Sequence, residues 1–240
     1  MFGHHHGGAL KRAMEAFPEA PTPWLDLSTG INPTPWPIPA DLHVAWHRLP
    51  EMDEILALEA AAAAAFGVAA ARVCAVPGTE LALRSLARLD LPRPVHHLWP
   101  SYATHGEAVQ DSRAIGLEDI IACLSRGGTV ILANPNNPDG RILSSAALMA
   151  ALQAARRAGG CLVVDEAYAD AHDDVSLLPF LAPNDPVIVL RSFGKFYGLP
   201  GLRLGFVVAS GPVMHRFRRL LGSWPVSAAA VAVGRAAYGD

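Results

Sequence analysis

Cysteine is scarce in this 240-residue chain: Cys74, Cys123 and Cys161 are the only three. An odd number at wide spacing indicates neither a disulfide framework nor a zinc site. Cys74 and Cys161 stand in apolar runs and read as buried thiols. Charge is scarce too, with 19 Lys and Arg against 22 Asp and Glu, a formal net of −3. That balance offers no attraction to nucleic acid or to an anionic membrane. No apolar run reaches about 18 residues, so no membrane-spanning helix is expected. The Ala60–Ala65 stretch is too short and has Glu59 beside it. A secretory signal pattern is also missing at the N-terminus. The expected setting is reducing and cytoplasmic. Among the histidines, His4–His6 form a run with no Cys or acidic residue near it, so no metal site is expected.

What is present is punctuation. Residues 1–50 are rich in Pro and Gly and read as an extended arm with one short helix over Ala9–Phe17. From Asp53 a helical pattern runs to Phe66 and ends at Gly67. Strands are expected at Val73–Val76, Val95–Trp99, Thr129–Ala133, Cys161–Asp165, Val187–Leu190 and Leu204–Ala209. Helices are expected between them, at Glu80–Leu89, Thr104–Val109, Glu118–Leu124 and Ser145–Ala158. Pro212–Tyr238 reads as two helices broken at Trp224-Pro225. The alternation predicts an α/β fold over residues 51–240: a mostly parallel central sheet with helices on both faces. Continuous apolar strands such as Cys161–Val164 suit a sheet covered on both sides.

Polar residues cluster where these strands should end. Gly78-Thr79-Glu80 follows the first, and Pro100-Ser101-Tyr102 the second. Asn134-Pro135-Asn136-Asn137-Pro138, Asp165-Glu166-Ala167-Tyr168 and Ser192-Phe193-Gly194-Lys195 follow the next three. Ligands of open α/β sheets bind outside the carboxyl ends of the strands. Five polar strand ends therefore predict one shared site.

In this order and spacing the five segments, over residues 25–240, resemble the fold-type-I pyridoxal 5′-phosphate (PLP) enzymes, the aspartate aminotransferase superfamily. The resemblance implies PLP as cofactor, with Lys195 holding its aldehyde. Chemistry of this kind needs an amine that holds the aldehyde and later moves a proton. Ser192 and Arg203 would bind the cofactor phosphate, and a guanidinium suits that task because it can grip phosphate through two hydrogen bonds. Gly78, Thr79 and Glu80 correspond to the phosphate cradle, where glycine lets the backbone approach an anion. Asp165 would hold the pyridine nitrogen protonated, since a buried carboxylate needs a partner. Tyr168 and Asn137 would bond the phenolic oxygen, Tyr102 would stack on the ring, and His105 would lie near Asp165. Three positions depart from the usual pattern: Gly194 where Ser is common, Asp139 where Thr is common, and Leu49 where a tyrosine often reaches the partner subunit.

The reaction depends on what holds the substrate. His6-Gly7-Gly8 and Leu27–Pro33 look like the threonine-phosphate decarboxylases of cobalamin biosynthesis more than the histidinol-phosphate aminotransferases. That resemblance implies a lyase that converts L-threonine O-3-phosphate to (R)-1-aminopropan-2-ol phosphate, with His6, Gly8, Gly30 and Asn32 around the phosphorylated substrate and a homodimer as the assembly. Two alternatives stay open: an aminotransferase acting on histidinol phosphate or a similar amino acid, and a PLP-binding protein without turnover. The last arises because relatives continue into a small C-terminal domain whose arginine grips the substrate carboxylate. No residue after Arg235 corresponds to that arginine, so PLP binding is expected to exceed turnover.

Overall fold

A computed structural model of the chain describes residues 7–240. Seven strands form one sheet: β1 (Val73–Val76), β2 (Val95–Leu98), β3 (Arg113–Ile115), β4 (Thr129–Ala133), β5 (Cys161–Asp165), β6 (Val187–Ser192) and β7 (Gly205–Ala209). Their order is β1-β7-β6-β5-β4-β2-β3. β7 runs antiparallel to both neighbours, and every other pairing is parallel. The sheet is therefore mostly parallel, as expected. β1, β2, β4, β5 and β6 all point the same way, which brings their carboxyl ends to one edge.

Among the described residues nine α-helices accompany the strands: α1 (Leu10–Ala16), α2 (Met52–Phe66), α3 (Thr79–Ser85), α4 (Ala103–Glu107), α5 (Ile120–Ser125), α6 (Ser145–Ala158), α7 (Phe193–Phe196), α8 (Gly211–Leu221) and α9 (Ala228–Gly239). Side chains alternate across each strand. Val130, Leu132, Leu162, Val164, Val187 and Val189 pack with α2, α5, α6 and α9 on one face. Ile131, Val163, Ile188, Leu190 and Val207 pack with α3 and α8 on the other. Covering on both faces explains why these strands read as unbroken apolar runs.

Helix ends follow local chemistry. Ser144 caps α6 by accepting the Ala147 N–H, and Gly159 closes it in a left-handed conformation at φ 69°. Ser227 caps α9 in the same way, through the Ala230 N–H. The two C-terminal helices break around Trp224-Pro225, where the sequence predicts it.

The structure differs from the sequence reading at several places. β3 was not expected, because its exposed three-residue segment at the sheet edge has no apolar run. β6 continues past Leu190 through Arg191 and Ser192, both buried. Arg191 interrupts the apolar pattern because it belongs to a buried ion-pair network. Trp99 lies beyond β2 and is exposed. The stretch from Glu80 is an α-helix only to Ser85 and tightens into a 3-10 turn over Leu86–Arg88. Among the described residues, no helix is long and apolar enough to cross a membrane.

An ion pair between buried Glu59 and half-buried Arg218 ties three elements together. Glu59 of α2 accepts two hydrogen bonds from Arg218 of α8, at 3.1 and 2.6 Å. It also accepts the Ala75 N–H of β1 at 3.0 Å, while Arg218 donates to the Val73 carbonyl at 2.9 Å. Removing either partner would strand a charge against the sheet.

Candidate active site

The carboxyl edge of the sheet opens into a cavity of about 560 Å³. Each polar strand end contributes to its wall. Gly78, Thr79 and Glu80 come from the end of β1, Tyr102 from β2, Asn137 from β4, Asp165 and Tyr168 from β5, and Ser192, Lys195 and Arg203 from the β6–β7 region. These residues are separated by as many as 125 positions in sequence and meet only because the strands are parallel.

Asp165 is the last residue of β5 and is buried. Its Oδ2 lies 3.1 Å from Nε2 of His105, and its Oδ1 accepts the Ala167 N–H at 3.1 Å. Nδ1 of His105 lies 3.2 Å from the Ser101 hydroxyl. His105 is fully buried and does not line the cavity; it stands behind Asp165 and holds it from the far side. Lys195, in the one-turn helix α7, places Nζ 5.5 Å from the centre of the Tyr168 ring.

Gly78 has φ 83°, a backbone angle that glycine adopts without strain, and a Cβ there would stand 2.8 Å from Nη2 of Arg203. The close approach leaves the guanidinium against bare backbone. Arg203 sits in a left-handed turn at φ 52°. With buried Ser192 beside it, this corner offers a cation, a hydroxyl and a glycine backbone to an anion.

Glu80 faces the cavity but has its own partners. It accepts the Tyr102 hydroxyl at 3.1 Å, the Thr104 hydroxyl at 3.0 and 3.2 Å, and Nε of Arg84 at 2.7 Å. The carboxylate thus fixes the Tyr102 ring. Burial pushes the Tyr102 phenol above its usual pKa.

Beneath the site, Glu166 and Arg191 flank Asp165 and Ser192. Arg191 donates to Glu166 at 3.1 Å and to Asp170. Glu166 also accepts the Ser176 hydroxyl and the Leu177 N–H, each at 2.7 Å. Burial pushes the Glu166 carboxyl up, against the pull of Arg191. The network holds the ends of β5 and β6 in fixed register, and with them the two residues that face the cavity.

Residues 26–32 run across the mouth as a strap. Thr29, Gly30 and Ile31 line the cavity, together with Ser28 and Gly7. A Cβ on Gly30 would meet the Tyr168 hydroxyl at 2.7 Å. The Asn32 N–H donates to the Lys195 carbonyl at 3.0 Å, so the strap is pinned to the lysine segment itself.

Several sequence expectations for the arm need correction. Asn32 does not reach the cavity: its Nδ2 donates to the Phe196 carbonyl at 2.9 Å and its Oδ1 accepts the Thr34 N–H at 3.0 Å. Gly8 does not line it either, because its N–H donates to the Ser28 hydroxyl at 2.8 Å. Gly30 does line it. His6 lies outside the described residues. Sequence reasoning passed over Gly7, Ser28, Thr29 and Ile31 as individual residues, although all four stand in the two arm motifs it singled out. No group of three or more His, Cys, Asp or Glu that could hold a metal occurs among the described residues.

The sequence model of the class I and II aminotransferases matches residues 3–240. A threonine-phosphate decarboxylase of Sinorhizobium sp is 40% identical over 237 residues, which cover 96% of this chain and 70% of that protein. One from Pseudomonas aeruginosa is also 40% identical, over 98% of this chain and 71% of that protein. The solved histidinol-phosphate aminotransferase of Sinorhizobium meliloti, in complex with pyridoxal-5′-phosphate, superimposes with a TM-score of 0.70 at 27% identity. That superposition covers 81% of this chain and 57% of the solved one.

Proposed function

The chain belongs to the class I and II aminotransferase family, and from that premise we propose that it is a PLP-dependent lyase that decarboxylates L-threonine O-3-phosphate. The observation that carries the reading is the 40% identity to two threonine-phosphate decarboxylases over 96 to 98% of the chain. The product would be (R)-1-aminopropan-2-ol phosphate, and under this proposal the reaction would belong to cobalamin biosynthesis.

The residues on the cavity wall fit the cofactor. An anion-binding corner at Gly78, Ser192 and Arg203, a buried carboxylate at Asp165 and an amine at Lys195 share one cavity. These are the three chemistries that a phosphorylated pyridine aldehyde requires. Bound there, PLP supplies an electron sink for the pair left behind when the bond to the substrate carboxylate breaks.

The chain's own groups would do the rest. Arg203 and Ser192, with the Gly78-Thr79 backbone, would hold the cofactor phosphate. Asp165 would keep a proton on the ring nitrogen, with His105 and Ser101 orienting its carboxylate. Tyr102, steered by Glu80, would cover one face of the ring. Tyr168 and Asn137 would hold the phenolic oxygen. Lys195 would hold the aldehyde until the substrate amine takes its place, and its released Nζ would then carry a proton to the substrate α-carbon. The strap of residues 28–31 closes the mouth on the substrate side and limits the access of water.

Aminotransfer is the second reading, favoured by the likeness to the S. meliloti histidinol-phosphate aminotransferase. Visible absorption of the PLP-loaded chain, with and without L-threonine O-3-phosphate and beside a Lys195→Ala variant, decides between them. A Lys195-dependent band that shifts on adding substrate, with release of CO2, supports the lyase. A requirement for 2-oxoglutarate with no CO2 supports aminotransfer. A band indifferent to Lys195 overturns the site assignment.

A further inference from the structure

Asp26, Ser28 and Gly8 form a hydrogen-bonded chain at the cavity mouth, of which Ser28 alone lines the cavity. The Ser28 N–H and its hydroxyl both donate to Oδ1 of Asp26, at 2.8 and 2.5 Å. The Gly8 N–H donates to the Ser28 hydroxyl at 2.8 Å. A carboxylate only accepts, so the Ser28 proton is committed to Asp26 and the hydroxyl lone pairs are left facing Gly8. The Ser28 hydrogen bonds hold the Asp26 carboxyl below its usual pKa, in the ionised form this arrangement needs.

Both glycines suit this contact. A Cβ on Gly7 would fall 1.8 Å from the Ser28 carbonyl oxygen, and Gly8 has φ 86°. Beyond Ser28 the same strap lies on the site, with Gly30 against Tyr168 and Asn32 bonded to the Lys195 carbonyl. Gly7 and Ser28 line the cavity, whereas Asp26 does not.

We propose that Asp26 and Ser28 are positioning residues for substrate: they hold the Gly7-Gly8 backbone at the cavity mouth before the phosphate-bearing tail of the substrate arrives. The assignment of that tail rests on the function proposed above. Without the lock, a glycine pair must be ordered during binding. Ordering one residue's backbone weakens affinity by about tenfold or more.

The test uses PLP-loaded chains of the wild type, Asp26→Ala, Ser28→Ala and Ser28→Thr. Each is titrated with L-threonine O-3-phosphate and followed by the shift of the visible band. Hydrogen exchange of the Gly8 amide, without substrate, is the second readout. Asp26→Ala is decisive because Asp26 does not line the cavity. It should weaken substrate about tenfold and speed Gly8 exchange, while leaving the affinity for PLP alone. Ser28→Ala should do the same, and Ser28→Thr, which keeps the hydroxyl, should restore both readouts. Wild-type substrate affinity in Asp26→Ala overturns the proposal, as does unchanged Gly8 exchange in both Asp26→Ala and Ser28→Ala. If the wild type itself ignores the substrate, the proposed function falls. Gly8 exchange then decides the lock alone: faster exchange in Asp26→Ala and Ser28→Ala supports it, and unchanged exchange overturns it.

Discussion

Replacing Gly30 with alanine measures how closely the strap is seated on the cavity wall. The new methyl would stand 2.7 Å from the Tyr168 hydroxyl and 2.9 Å from Cε1 of its ring. Carbon contacts are comfortable at about 3.5 Å or more, so something must move by roughly 0.7 Å. Gly30 is not among the glycines with positive φ, and the effect is therefore steric alone. Either Tyr168 turns away from Nζ of Lys195, now 5.5 Å from its ring centre, or the strap lifts and strains the 3.0 Å bond from Asn32 to the Lys195 carbonyl. Overpacking costs about 1–3 kcal/mol. The strap is exposed and can yield, so the lower half of that range applies, and about 1.4 kcal/mol is tenfold in affinity. Titration with PLP followed by visible absorption should show that loss in Gly30→Ala. Gly201→Ala is the control, since a Cβ there meets nothing within 4 Å. Equal PLP affinity and equal melting temperature in the two variants would refute the reasoning.

Three further outcomes are expected. Arg218→Met should destabilise the chain by about 2–3 kcal/mol in urea, because it strands the buried Glu59 carboxylate; adding Glu59→Gln should recover part of this, since the amide still accepts the Ala75 N–H. A double variant as unstable as Arg218→Met would count against the buried-charge account. Burial pushes the thiols of Cys74 and Cys161 up to about 12; at pH 8 on the order of one in ten thousand is thiolate, so neither should react with a disulfide reagent until the chain unfolds. Rapid labelling of either in the native chain would contradict their burial. The arm exposes Leu25 at 76% and Leu27 at 82% of their surfaces, an apolar strip that the homodimer expected from the sequence would cover. Leu25→Asp with Leu27→Asp should shift a dimer to monomer in equilibrium sedimentation, whereas an unshifted mass would exclude the arm from the interface.

The parallel sheet was legible because its strands are covered on both faces. Two-sided burial writes continuous apolar runs into the sequence, and five of the seven strands carry such a run, β2 being interrupted by His96 and His97. β3 has a solvent-exposed edge and carried no such signal. Arg191 hid the end of β6, because a buried guanidinium paired with Glu166 and Asp170 looks like a surface residue in one dimension. The polar strand ends were equally legible, since the need for Gly, Asp and Lys after successive carboxyl ends, and for Arg just before the antiparallel β7, follows from the chemistry of one ligand.

What the sequence determined alone was which residues stand at the strand ends, and therefore which meet at the cavity. Strand polarity turns chain order into spatial position, and it leaves little freedom at those points. What only the tertiary structure decided was the work of side chains whose partners are distant in sequence. It turned Asn32 onto the backbone of Phe196, gave Glu80 to Tyr102 and Thr104, and joined Gly8 to Ser28. The physical reason is that a short polar side chain or a glycine N–H takes whichever partner the fold brings within about 3 Å, and an arm without periodic structure carries no sequence signal of what it will lie against.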